Sequence, residues 1–99
     1  MAKYNYYVYI TTNSNKTTLY IGVTNNLARR LQEHYENRDD QSSFAGKYYC
    51  YNLVYCEVYE SVIDAISREK EIKKWRREKK NRLIEKHNPE WKFMNDEIL

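Results

Sequence analysis

Glu69 has the side chain whose position asks most plainly for an explanation. It falls in an apolar stripe, with Ala65 four residues before it, Ile66 three before and Ile72 three after. A carboxylate at the rim of a core is costly unless it is paired, protonated or bound to a cation. Mg²⁺ suits such a site, because it keeps several waters and often takes only one or two carboxylates. A neighbouring Lys or Arg would serve as well. Arg30 and His34 form a second constellation: four residues apart on a helix, they share one face and can address one anion together. Arg offers a fork matched to phosphate oxygens, and His titrates near neutral pH. Tyr9 and Tyr20 are the third. Two phenols on one sheet face can orient a water or take its proton, provided a cation stabilises the phenolate. Taken singly, each group also has an ordinary explanation: a solvated helix face for the Arg/His pair and aromatic packing for the phenols.

The remaining chemistry is thinner. Cys50, Cys56, His34 and His87 lack paired zinc spacing, and Gly22 and Gly46 make no phosphate-cradling loop. Two cysteines in a chain of cytosolic type are expected to be reduced and packed. From Arg68 to Lys86 there are ten Lys/Arg and four Glu, a local +6 in a chain of net +3. Lys70, Lys73, Lys74, Arg76 and Arg77 are the candidate phosphate-backbone contacts of this segment, although interleaved Glu71, Glu78 and Glu85 suit a solvated face equally. No apolar run is long enough to span a bilayer, and the first residues lack a signal-peptide cleavage site, so the expected location is the cytoplasm. Ninety-nine residues, 41% hydrophobic and 31% charged, fit one folded domain over 1–99.

The elements that must position these groups follow from pattern. Tyr4 to Thr11 is aromatic and β-branched and reads as a strand, with Tyr7 and Tyr9 on one face and Val8 and Ile10 on the other. The polar turn Thr12 to Lys16 and the strand Thr18 to Val23 complete a hairpin. Thr24-Asn25-Asn26 offers caps for a short helix from Leu27 to Tyr35. Asn37 to Gly46 has no period and reads as a loop. Leu53 to Tyr59 is the third strand, with Leu53, Tyr55 and Glu57 alternating with Val54, Cys56 and Val58. Ser61 caps a long basic helix, and a break near Arg77 to Asn81 would divide it in two; Trp91 and Phe93 dock the tail.

The order and spacing of these groups resemble the GIY-YIG nuclease superfamily, in its small stand-alone single-domain bacterial branch. Tyr7-Val8-Tyr9 stands where that family has Gly-Ile-Tyr, and Tyr20-Ile21-Gly22 is its second motif. The segment Val23 to His34 matches the family's helix, with Arg30 at the signature arginine, and Ala65-Ile66-Ser67-Arg68-Glu69 matches the segment that carries the metal-binding glutamate. The bulky Tyr7 in place of the first glycine reads as a trait of the small branch, and either Asn81 or Asn88 stands for the family's supporting asparagine. The resemblance implies an α+β fold, a small three-stranded antiparallel sheet flanked by helices. It implies hydrolysis of a DNA phosphodiester in repair or processing, with Mg²⁺ or Mn²⁺ held by Glu69 and the developing charge stabilised by Arg30. Tyr9 would be general base or water orienter with His34 its competitor, and Tyr20 would position the water or a phosphate oxygen. A non-catalytic nucleic-acid-binding module is the alternative. A protein-interaction adaptor built on Tyr48 to Tyr59 is a third, and requires those rings to be exposed.

Overall fold

The computed structural model describes residues 5–99. Strands β1 (Tyr6–Thr12), β2 (Leu19–Thr24) and β3 (Asn52–Tyr59) form one antiparallel sheet in the order β2-β1-β3. Helices α1 (Leu27–Glu36), α2 (Phe44–Lys47), α3 (Val62–Lys74), α4 (Arg77–His87) and α5 (Asn95–Ile98) surround it. The α+β architecture is the expected one. The first strand begins at Tyr6, and Tyr4 lies outside the described residues.

Because β1 is central, both of its faces are buried from Val8 onward. Val8 and Ile10 pack with Ile21, Val54, Tyr55, Ala65, Ile72 and Ile84, so α3 and α4 cover that face. Tyr9 packs with Leu27, Leu31 and Leu53 on the other, under α1. The alternation read in the first strand therefore divides the molecule into two cores on opposite sides of the sheet. The hairpin turn is closed by Asn13, whose Oδ1 accepts from the Thr17 and Thr18 amides at 2.8 and 3.1 Å, while Lys16 takes the left-handed conformation. The resulting register sets Tyr9 opposite Gly22 and Tyr20 opposite Thr11, which leaves both phenols on one face.

The third strand departs from simple alternation. The register with β1 slips between Ile10 and Thr11, so that Ile10 faces Tyr55 but Thr11 faces Leu53. Val54 is the extra residue of a bulge, which places Leu53 and Tyr55 on opposite faces. The bulge is held from outside the sheet: Asn88 Nδ2 donates to the Val54 carbonyl at 2.9 Å, the Met94 amide to the Leu53 carbonyl at 2.8 Å, and the Leu53 amide to Asn95 Oδ1 at 2.8 Å. Buried Asn88 thus has a structural task, and Asn81 is engaged instead by Arg77 Nε at 2.8 Å. The tail docks through Trp91, which packs on the α3 side; Phe93 is largely exposed, with Lys16 over its ring.

The segment read as a loop from Asn37 to Gly46 is more ordered than its composition suggests. Successive turns bond the Asp40 amide to Asn37 O and the Ser43 amide to Asp40 O, and Ser43 then caps α2 through Gly46 N at 3.0 Å. A four-residue helix is too short to show a period in sequence. The division of the basic helix falls at Trp75 and Arg76, ahead of the expected range. Trp75 leaves the helix with ψ 152° and puts its indole on the core, flanked by the Arg68 guanidinium and the Lys79 ammonium.

A second polar cluster ties β3 to α3. Glu57 receives Arg68 Nε at 2.9 Å, the Tyr59 hydroxyl at 2.6 Å and the Tyr55 hydroxyl. Burial alone would raise its carboxyl, but the hydrogen bonds from Arg68, Tyr55 and Tyr59 outweigh it and hold the group below the usual carboxylate range. Tyr55 is buried and Tyr59 half-buried in this cluster, which removes them from any adaptor surface; Tyr48 and Tyr49 are exposed. Both cysteines are free, Cys50 buried and Cys56 half-buried. Among the described residues, no helix is long and apolar enough to cross a membrane.

Candidate active site

The hairpin and α1 meet almost without a linker. Asn26 caps α1 by accepting from the Arg29 amide at 3.0 Å, and Thr24 Oγ1 fixes the Asn26 amide at 3.1 Å, so the chain turns back over the sheet directly after β2. Leu27 and Leu31 then face Tyr9, and Arg30 and His34 come round on the adjoining turns.

Tyr9 reaches them by lying across its neighbour. A Cβ on Gly22 would come within 2.5 Å of Tyr9 Cζ and Oη and within 2.9 Å of Tyr20 Cε2. The glycine of the second motif is the seat on which both rings rest, a reason for glycine that is steric rather than conformational. From that seat Tyr9 Oη lies 2.8 Å from His34 Nε2 and accepts from Arg30 Nε at 3.2 Å. Arg30 supplies one donor to the phenol oxygen, and the direction of its bond with His34 Nε2 follows the imidazole tautomer. Tyr20 completes the cluster, its ring 5.1 Å from that of His34 and 6.1 Å from that of Tyr9. Gly22→Ala is expected to push Tyr9 off this seat, costing about 1–3 kcal/mol of stability, which thermal unfolding of the variant measures.

Burial dictates how these groups titrate. Tyr9 has no exposed surface, and burial, with Tyr20 nearby, raises its phenol well above the ordinary value against the opposing pull of Arg30. Tyr9 is thus a neutral phenol at pH 7. His34 is 6% exposed, and burial followed by the Arg30 charge lowers it to about 4, so the imidazole is neutral as well. Between about 4 and the unfolded value of about 6.5 the unfolded chain binds more protons than the native one, so stability falls as pH falls through that window. Measured by Tm, the wild type should lose more stability between pH 6.5 and 4 than His34→Gln does. Equal slopes would refute the assignment.

Tyr20, Arg30 and His34 also line a hollow of about 220 Å³, closed on its far side by Asn37, Asp40, Ser43 and Phe44. Tyr9 is absent from that lining. Glu33 sits at the rim, bonded to Arg30 Nη1 at 3.3 Å in a pair exposed enough to yield readily to an anion.

The fifth candidate stands elsewhere. Glu69 lies between buried Ala65 and Ile72, and its side chain is 14% exposed, so the stripe reading is correct for these three residues, while Ile66 is exposed. That stripe packs on the Val8 and Ile10 face, across the sheet from Tyr9. Its carboxylate pairs with Lys73 Nζ at 3.2 Å. Among the described residues no three His, Cys, Asp or Glu gather into a metal-holding group. A lone, mostly buried carboxylate with a displaceable ammonium fits a hard cation that keeps its waters, and does not fit zinc or a two-metal centre.

The basic candidates divide. Arg77 is committed within the protein, donating to the Lys16 and Thr17 carbonyls at 2.9 and 2.8 Å, and so pins α4 to the hairpin turn rather than facing a phosphate. Lys73 is occupied by Glu69. Lys70, Lys74 and Arg76 are exposed on the α3 surface and its exit.

The two phenols, the arginine and the histidine of this cluster are carried by a hairpin and the helix after it. The family model for the GIY-YIG catalytic domain matches residues 5–89. The chain belongs to the GIY-YIG family. A UPF0213 protein of Syntrophus aciditrophicus is 41% identical over 88 residues, covering 85% of this chain and 93% of that one. One from Haloquadratum walsbyi is 38% identical over 80 residues, covering 81% and 86%. The solution NMR structure of a UPF0213 protein from Bacillus halodurans superposes with a TM-score of 0.54 at 24% identity, covering 88% and 89%, and shows the same fold. This GIY-YIG domain thus belongs to a nuclease family.

Two features of the GIY-YIG site were not read from the sequence. Gly22 as the seat of Tyr9 follows only from register, although a glycine directly opposite a tyrosine is a signal once the hairpin is drawn. The Phe44 wall depends on a helix too short to show itself.

Proposed function

We propose that this chain is a metal-dependent endonuclease that hydrolyses DNA phosphodiester bonds with Tyr9, Tyr20, Arg30, His34 and Glu69. The observation that carries the reading is the bond from Arg30 Nε to Tyr9 Oη, which fixes a guanidinium at the mouth of a hollow it shares with Tyr20 and His34. A cation preorganised in this way stabilises charge that develops on a phosphoryl group at no cost of reorganisation.

The roles follow from exposure. Arg30 keeps the face of its fork toward the hollow for a nonbridging oxygen, and an arriving phosphate displaces Glu33 from it. Tyr20 lines the hollow and orients the attacking water. Tyr9, fully buried, holds Arg30 and His34 in place, and the proton released by the water passes to His34, which lines the hollow, as the P–O bond forms. Neutral His34 is able to accept it at pH 7. Glu69 approaches from the other side of the sheet. That is compatible with one phosphodiester because β2 is an edge strand, against which α3 also packs, so a backbone crossing its rim has α1 on one side and α3 on the other. Glu69 would hold a divalent cation, Mg²⁺ or Mn²⁺, which would neutralise phosphoryl and leaving-group charge. Exposed Lys70 and Lys74 on α3 and Arg76 just beyond its end supply nonspecific attraction.

The test is incubation of labelled duplex, nicked, branched and single-stranded DNA with the protein in Mg²⁺, Mn²⁺ or EDTA. Cleavage that requires the metal supports the enzyme. Salt-sensitive binding with no cleavage in any metal would favour the non-catalytic nucleic-acid-binding module.

A further inference from the structure

We infer that the hollow beside Arg30 seats one unstacked nucleobase against the ring of Phe44, adjacent to the phosphate being cut; the placement of that phosphate rests on the nuclease reading. Phe44 is 53% exposed although its neighbours Ala45 and Gly46 are buried. It is the only aromatic ring besides Tyr20 and His34 that lines the hollow, among the described residues. Phe44 puts a flat apolar face on the wall of an otherwise polar cleft, a surface on which a flat ring can stack. The cleft is continuous with the groups that take the phosphate, since Tyr20, Arg30 and His34 belong to both. A base and its own phosphate supply such a pair, a flat ring joined to an anion.

The wall is built to stay open. Gly46 approaches the Asp40 and Asn37 carbonyls so closely that a Cβ would collide with both, and the Cys50 amide donates to Ala45 O at 2.8 Å. Tyr48 backs the Phe44 ring at 4.8 Å between centroids, with the Lys47 ammonium 5.6 Å over Tyr48. Aromatic rings with a flanking cation form the usual platform for unpaired bases. Of the acids that line the hollow, Asp40 Oδ1 is engaged by the Ser42 amide and hydroxyl at 2.9 and 2.7 Å, and Glu33 is held by Arg30 until a phosphate displaces it. Asn37 Nδ2 and Ser43 Oγ likewise bond to backbone. With the polar edges turned inward, the hollow recognises a base by its face rather than its edge, and prefers purines for their larger area.

The experiment compares binding, in EDTA, of a labelled eight-nucleotide oligodeoxyadenylate with that of an abasic backbone of equal length and charge. The wild type is expected to prefer the oligonucleotide with bases by about tenfold, as for one stacked base. Phe44→Ala should abolish that preference while leaving affinity for the abasic strand unchanged, and Phe44→Trp should restore it. Equal wild-type affinity for the two strands, or a preference that survives Phe44→Ala, would overturn the inference, including in favour of a protein ligand on the same ring. The nuclease reading fails separately, through absence of metal-dependent cleavage, which the binding preference does not touch.

Discussion

Arg30→Ala is expected to slow strand cleavage by about 10²–10³-fold, the loss seen when one preorganised charge-stabilising donor is removed. The fold should survive. Arg30 is partly exposed and its bond to Tyr9 is one hydrogen bond, so the stability cost is about 1 kcal/mol. The loss belongs in the chemical step, so substrate binding should weaken far less than turnover. Arg30→Lys should rescue little, because an ammonium cannot donate to Tyr9 Oη and present a planar fork to phosphate at once. A lysine variant with near wild-type turnover would show that only positive charge is needed there.

Glu69→Gln is the second large effect, and it should divide activity from stability in the opposite way to a core mutation. Cleavage is expected to fall by at least about 10³-fold, the several kcal/mol that a bound cation contributes to a phosphoryl transition state, and excess Mg²⁺ should recover only part of it. Stability should be unchanged or slightly higher. The ion pair with Lys73 is an i,i+4 helix pair worth about 0.3–0.5 kcal/mol, and the amide relieves a carboxylate that is 14% exposed between Ala65 and Ile72. A marked fall in Tm with cleavage retained would make Glu69 a structural residue. The kinetics of Mg²⁺ dependence and a thermal melt on the same variant decide between the two.

Much of the architecture is legible in the sequence because its signals are local. The aromatic and β-branched run before a turn of Asn, Ser and Lys, and the Asn26 cap before Leu27, specify the hairpin and α1 over a few residues each. The bulge at Val54 is not legible, because it is held by Asn88, Met94 and Asn95, about 40 residues further along the chain. Helix α2 escapes notice for want of length. At the site, spacing placed Arg30 beside His34 and Tyr9 near Tyr20, but the burial of Tyr9 and its bond to His34 depend on how the ring crosses Gly22, which no periodicity encodes. The stripe through Glu69 likewise told that the helix faces a core, and not on which side of the sheet that core lies. Arg77 looked like a phosphate ligand by charge alone; its commitment to the Lys16 and Thr17 carbonyls is a contact 60 residues distant in sequence.

The most direct measurement is metal-dependent cleavage of one labelled DNA panel by wild type, Arg30→Ala and Glu69→Ala proteins purified identically. Cleavage by the wild type in Mg²⁺ or Mn²⁺, absent in EDTA and lost in both variants, is the predicted result. Cleavage that persists undiminished in both variants would come from another nuclease in the preparation and would contradict the assignment of this site.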